Sequence, residues 1–167
     1  AQFFTRSVYD SGEKVGPDVM HHARSLLAQG EYEAAIVEFR NAIVAEPGNR
    51  MPWMEIAKIQ REHLHDPQAA IETIRTAIET VEWQVNDAAY FMFRLAELYD
   101  EINGDRATAM AIMRQVIDLY PNTRHSANAS HKLVEWSKMG EGIGVSRDRA
   151  PYRDQPDLAG NSGGGAA

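Results

Sequence analysis

Cysteine is absent from the 167 residues. Disulfides, thiolate nucleophiles, zinc–thiolate sites and iron–sulfur clusters are thereby excluded. No apolar run approaches the roughly 20 residues that a membrane-spanning helix needs. Positive charge is scarce: 17 Lys and Arg face 24 Asp and Glu, for a net charge of −7, and no basic cluster stands out. Nucleic acid and anionic membrane surfaces both call for concentrated positive charge, so neither is expected as the main partner. The acidic balance favours solubility and a partner that is not strongly acidic.

Catalytic patterns are missing as well. No glycine-rich phosphate loop precedes a helix, and no Ser or Thr stands in a nucleophile motif. His63-x-His65 with Asp66 is an incomplete metal set, because a metal wants three or four converging ligands and nothing nearby in sequence supplies the others. Glu97 and Asp100 pair two carboxylates, but on an exposed helical face, where a solvated role outweighs acid–base work. No enzyme, cofactor, metal or small-molecule substrate is expected.

What is present is ordinary for a globular protein: 44% hydrophobic and 25% charged residues, in a chain long enough to bury a core. Composition divides it into three zones. Residues 1–15 form an arm anchored by Phe3, Phe4 and Val8. Residues 16–139 carry unbroken helical periodicity. From Gly140 to residue 167 the chain turns to Gly, Pro, Asp and Arg and ends in Asn-Ser-Gly-Gly-Gly-Ala-Ala, a tail expected to be extended or disordered.

The middle zone reads as helical pairs. Pro17 and Asp18 open the first helix, whose inward face is Val19, Ala23, Leu26 and Leu27, and Gly30 stops it. A second helix spans about Tyr32 to Ala45, with Ala35, Ile36, Phe39, Ala42 and Ile43 inward. Pro47-Gly48-Asn49 ends it. Pro52 opens the next pair, carrying Trp53, Ile56, Ala57 and Ile59, then a turn at 63–67, then Ala70, Ile71, Ile74, Ala77 and Ile78. The third pair carries Met92, Leu95, Ala96 and Tyr99, then Ala109, Ile112, Met113, Val116 and Ile117, and Pro121-Asn122 closes it. Residues 125–138 repeat the first-helix pattern, with Ala129, Leu133 and Trp136 inward, as a capping helix. No segment alternates as a strand does, so the fold class is all-α.

A helix–turn–helix unit recurring about every 34 residues marks a solenoid. Over residues 16–124 the chain resembles the tetratricopeptide repeat family, in its bacterial type. The first unit has Ala23, Gly30, Tyr32, Ala35, Phe39, Ala42 and Pro47 at the family's spacing. The second echoes it with Trp53, Ala57, Ala70, Ile74 and Ala77 but lacks the closing proline; the third has Leu95, Ala96, Tyr99, Ala109, Val116 and Pro121. The resemblance implies a right-handed stack of about three pairs plus the cap, working by protein–protein contact. Residues 116–133 are similar to repeats of bacterial cell-envelope assembly proteins.

Stacked pairs curve, and the first helix of each lines the concave face. Those positions predict a groove of Met20, Arg24, Met51, Met54, Lys58, Arg61, Tyr90, Phe93, Arg94 and Glu97, basic toward its N-terminal half and acidic toward Glu97 and Asp100. Met adapts to irregular partners, while aromatics and Arg dominate binding energy. Some family members grip a C-terminal carboxylate with a lysine and asparagines. Here those positions hold Met20, Arg24 and Glu55, and Arg94 alone fits, so that mode is not expected. Phe3, Phe4, Tyr152 and Leu158 are the arm residues suited to meet a partner.

The expectation is a non-enzymatic scaffold, an accessory subunit or adaptor of a larger assembly. Two alternatives stay open: a groove receptor or co-chaperone for transient peptide clients, and a self-assembling structural repeat. The chain opens on Ala1-Gln2-Phe3-Phe4, an end that a cleaved signal peptide or a lost membrane anchor would leave. With the missing cysteine, this favours the bacterial periplasm or a membrane face, the cytoplasm remaining open.

Overall fold

The computed structural model describes residues 15–144, with side-chain surroundings from 19 to 140. Among the described residues there are seven helices and no strand: α1 (Val15–Ala28), α2 (Tyr32–Ala45), α3 (Arg50–Glu62), α4 (Pro67–Thr80), α5 (Val85–Ile102), α6 (Arg106–Leu119) and α7 (Arg124–Gly144). None is long and apolar enough to cross a membrane. The arm residues Phe3 and Phe4 and the tail residues Tyr152 and Leu158 lie outside the described residues.

Short polar turns make each helix antiparallel to the next. Gly30, His65 and Gly104 each follow the first helix of a pair and take positive φ, +81°, +52° and +59°. The amide after each bonds five or six residues back: Glu31 to Leu26 at 3.0 Å, Asp66 to Gln60 at 2.8 Å and Asp105 to Tyr99 at 3.0 Å. This closure satisfies carbonyls that the helix end leaves open and requires a left-handed residue. Glycine supplies it twice; His65 does so against its own Cβ.

The opposite ends are capped by side chains. Asn49 accepts from the Met51 amide at 3.0 Å, Asp66 from Ala69 at 2.9 Å and Asp105 from Thr108 at 3.0 Å. Thr123 and Ser126 exchange hydrogen bonds reciprocally at the start of α7, a capping box with Ser in place of Glu. Between α4 and α5, where no proline closes the unit, the Trp83 indole N–H donates to the Ala77 carbonyl at 2.7 Å. The Trp83 ring packs on Phe91.

Small residues set the close crossings. Ala23, Ala35, Ala70, Ala77, Ala96, Ala109 and Ala129 are fully buried, and Phe39, Phe91, Ile74 and Met113 fill the space beside them. The interior falls into two clusters. One joins α1 and α2 to Ile56 and Ile59 of α3; the other runs from Trp53 and Ala57 of α3 through α4, α5 and α6 to Trp136 of α7. α3 belongs to both.

Two differences from expectation concern positions. α7 continues through Gly140 to Gly144, beyond the end expected at Lys138. A helical glycine costs only about 1 kcal/mol relative to Ala, too little to stop a helix that has room around it, and nothing crowds Gly140. Met20 is buried in the first cluster. It shares the i, i+3, i+7 stripe of Ala23 and Leu27, so it faces α2 and α3 and does not line an open groove.

Candidate protein-binding cleft

α3 and α5, the first helices of the second and third pairs, stand side by side with a cleft of about 290 Å³ between them. The stripe Met51, Met54, Lys58 and Arg61 recurs every third or fourth residue of α3, which puts all four on one face. Tyr90 and Arg94 do the same on α5. These six sequence-predicted residues line one cleft, with Glu55 and Glu62 at its edge and Ala57 and Leu98 beneath.

Ion pairs fix the width of the cleft. Arg50 pairs with Asp87 at 2.8 Å across the N-terminal ends of α3 and α5, and Arg61 pairs with Glu101 further along. Arg50 also stacks its guanidinium over the Tyr90 ring, 4.4 Å from the centroid. One face of Tyr90 is thereby occupied and its rotamer held, while the residue stays 40% exposed toward the cleft. An aromatic held in place loses little entropy when a partner packs on it. Each pair is half-exposed and worth at most about 1 kcal/mol in stability; its larger effect is on geometry.

The charge gradient expected along the groove is not what the structure builds. Arg94 pairs with Glu97 at 3.1 Å within α5. Asp100 is taken by Arg106, whose two donors reach its two oxygens at 2.8 and 3.4 Å. The acidic end is neutralised by one partner from within α5 and one from the start of α6. Lys58, exposed on the cleft, has no ion pair among the described residues and remains the uncommitted cation.

Other expected residues lie elsewhere. Arg24 is exposed on α1 and does not line the cleft, and Met20 is interior. Phe93 is half-buried against the larger core cluster. Sequence reasoning missed Arg50 and Asp87. Opposite charges at the starts of two successive first helices were a signal, legible only once the two helices are known to be neighbours. Among the described residues no three His, Asp or Glu converge as a metal set.

The tetratricopeptide repeat family model matches residues 90–123, from Tyr90 of the cleft to the Thr123 cap of α7. Curated proteins give no match. Among solved structures, the Yersinia enterocolitica type III secretion chaperone SycD in complex with a peptide of the translocator YopD is similar at 18% identity and a TM-score of 0.49. The match covers 78% of this chain and 93% of that one. A second structure of that translocator chaperone matches at 16% identity and a TM-score of 0.48, over 83% of this chain and 89% of the other. Its alternative dimer matches at 16% and 0.48, over 83% and 97%. The chain is an all-α helical-repeat protein, with a tetratricopeptide repeat at residues 90–123.

Proposed function

We propose that the chain is a non-enzymatic scaffold, an accessory subunit or adaptor that holds a segment of another protein in the α3–α5 cleft. The observation that carries this reading is the convergence of Met51, Met54, Lys58, Arg61, Tyr90 and Arg94 on one preformed concavity. Met and Tyr walls over an Ala57–Leu98 floor suit two or three apolar side chains. Lys58 suits a carboxylate beside them. Clamping of Tyr90 by Arg50 supports a site organised before its partner arrives.

The test is purification of the tagged full chain from its own cells, beside a Met54→Ala/Tyr90→Ala variant of unchanged helicity, with co-purifying proteins quantified by mass spectrometry. A fixed-stoichiometry set should be retained by the parent and lost by the variant. Removal of one aromatic anchor is expected to weaken binding by about 30-fold, the ~2 kcal/mol of an interface hot spot. Equal retention by both forms would remove the cleft from the account. A changing set of clients, lost together from the variant, would move the reading to a receptor for transient peptides.

A further inference from the structure

α7 has the register of a first helix, and among the described residues no second helix lies beside it. The register is fixed by the side turned toward the preceding pair. Pro52 and Ile59 of α3, Phe91 and Leu98 of α5, and Ala129 and Trp136 of α7 are each seven residues apart, and all six are buried. The ion pair Arg94–Glu97 on α5 recurs in the same register on α7 as Lys132–Glu135, at 3.1 and 3.5 Å.

That register locates the side of each first helix that meets its own second helix. In α3 it is Trp53, Ala57 and Gln60. Trp53 and Ala57 cluster with Ala70, Ile74 and Ala77 of α4, and Gln60 accepts from the Thr73 hydroxyl at 2.7 Å. In α5 it is Met92, Ala96 and Tyr99, packed with Ala109 and Met113 of α6. In α7 the same positions are Ser130, Val134 and Ser137, and all three are exposed. Val134 is 53% exposed, whereas the matching Ala57 and Ala96 are 5% and 0% exposed.

This side of α7 is suited to being covered. It carries no charge, because Lys132 and Glu135 lie on the line of the concave groove, where α5 has Arg94 and Glu97. Half-buried Leu133 borders it. The Ser137 hydroxyl donates to the Leu133 carbonyl at 2.8 Å, so burial would leave it no unmet donor.

The three second helices show what fits. Each presents Ala, a bulky apolar residue and Ala or Val at i, i+4 and i+7: Ala35, Phe39 and Ala42; Ala70, Ile74 and Ala77; Ala109, Met113 and Val116, all buried. Residues 145–167 do not offer such a helix. α2, α4 and α6 have 14 residues each, whereas Pro151, Pro156 and the glycines leave no Pro- and Gly-free run longer than Val145 to Ala150. A second copy fits poorly too, since α7 against α7 sets Ser and Val against Ser and Val with nothing bulky to fill the crossing.

We propose that the Ser130–Val134–Ser137 side of α7 docks a helix of another protein, completing a fourth pair in trans. That helix runs antiparallel to α7 over about four Pro-free turns. It bears a small, a bulky apolar and a small residue at i, i+4 and i+7, and an acidic residue on the flank facing Lys138. The surface is separate from the α3–α5 cleft and continues the interface that already joins α5 to α6.

The test uses a fluorescein-labelled, helix-stapled peptide of residues 105–120, which carries the Ala109–Met113–Val116 pattern, titrated by anisotropy into the full chain. The peptide should bind at one site per chain. Val134→Arg alters an exposed position and should leave helicity and melting unchanged. It should weaken the peptide by at least about tenfold, because docking would then bury an unpaired charge. Met113→Ala in the peptide should also weaken binding, whereas Met54→Ala/Tyr90→Ala in the chain should not. No binding by the parent, equal binding by Val134→Arg, or loss of binding in the cleft variant would overturn the proposal. So would a dimer of the chain, seen by sedimentation, that Val134→Arg dissociates, which would assign this side to a second copy.

Discussion

The first helical pair and the rest of the stack are built to the same plan and joined in different ways. α1 and α2 reach their neighbour chiefly through Ile56 and Ile59 of α3, with Ile43 of α2 touching the larger core and the Tyr32 ring stacked on His63, centroids 4.5 Å apart, at the edge. From α3 onward the core is continuous through four further helices. Two ion pairs also tie α3 to α5, whereas among the described residues none ties α1 or α2 to α3. In a stack held by nearest-neighbour contacts, the junction with fewest contacts opens first. The difference teaches where rigidity is placed: around the partner cleft, with a looser seam at the N-terminal side of α3.

The largest test of that comparison sets Phe39→Ala against Phe91→Ala. Both rings are fully buried, and each truncation should cost about 3–5 kcal/mol. Hydrogen exchange should show Phe39→Ala releasing α1 and α2 while α4 to α7 stay protected, and Phe91→Ala loosening the continuous block. Identical global loss in both would mean the two cores are one cooperative unit.

At the next scale, His63→Ala removes the ring stacked on Tyr32, and Trp83→Phe removes the indole bond to Ala77. Each should cost about 1 kcal/mol by denaturant titration. Only the first should increase opening of α1–α2 relative to the block. A smaller gain is expected from His65→Gly, which relieves a left-handed turn residue where Gly30 and Gly104 occupy the matching positions. It should stabilise by at most about 1 kcal/mol, since part of the relief is offset by the freedom glycine adds to the unfolded chain.

The smallest effect is with pH. The Thr108 hydroxyl, then the Thr108 backbone N–H, hold the Asp105 carboxylate below its ordinary value of 3.8, with burial acting weakly against them. A depressed carboxylate contributes stability above its unfolded-state pKa, and that contribution fades as pH falls through the lower folded value. As pH falls through 3.8 and below, the α5–α6 turn should loosen progressively in the parent. Asp105→Ala should flatten that part of the curve, read as midpoint against pH by circular dichroism. An unchanged slope would show the cap is not what titrates.

Much of this was legible because the information is local. Period 3.6 placed the helices, α2 at Tyr32–Ala45 among them, and small residues at fixed spacing marked the crossings. The stripe Met51–Met54–Lys58–Arg61 could be put on one face before any fold was known. Met20 was misjudged at the one place where two faces of a helix compete. It lies beside both the buried stripe and the groove line, and only its neighbours settle which one it joins.

The sequence by itself determined that the chain is all-α, that its helices pair, and which side of each is apolar. Those properties follow from turn chemistry and from residues three and four apart. Only the tertiary structure decided which charges meet: Arg50 with Asp87, Arg61 with Glu101, Asp100 with Arg106. It also split the core at α3 and opened the cleft between α3 and α5. Such pairings depend on how far one helix is rotated and shifted against another. That is set by packing along the whole interface, and no short window of sequence encodes it.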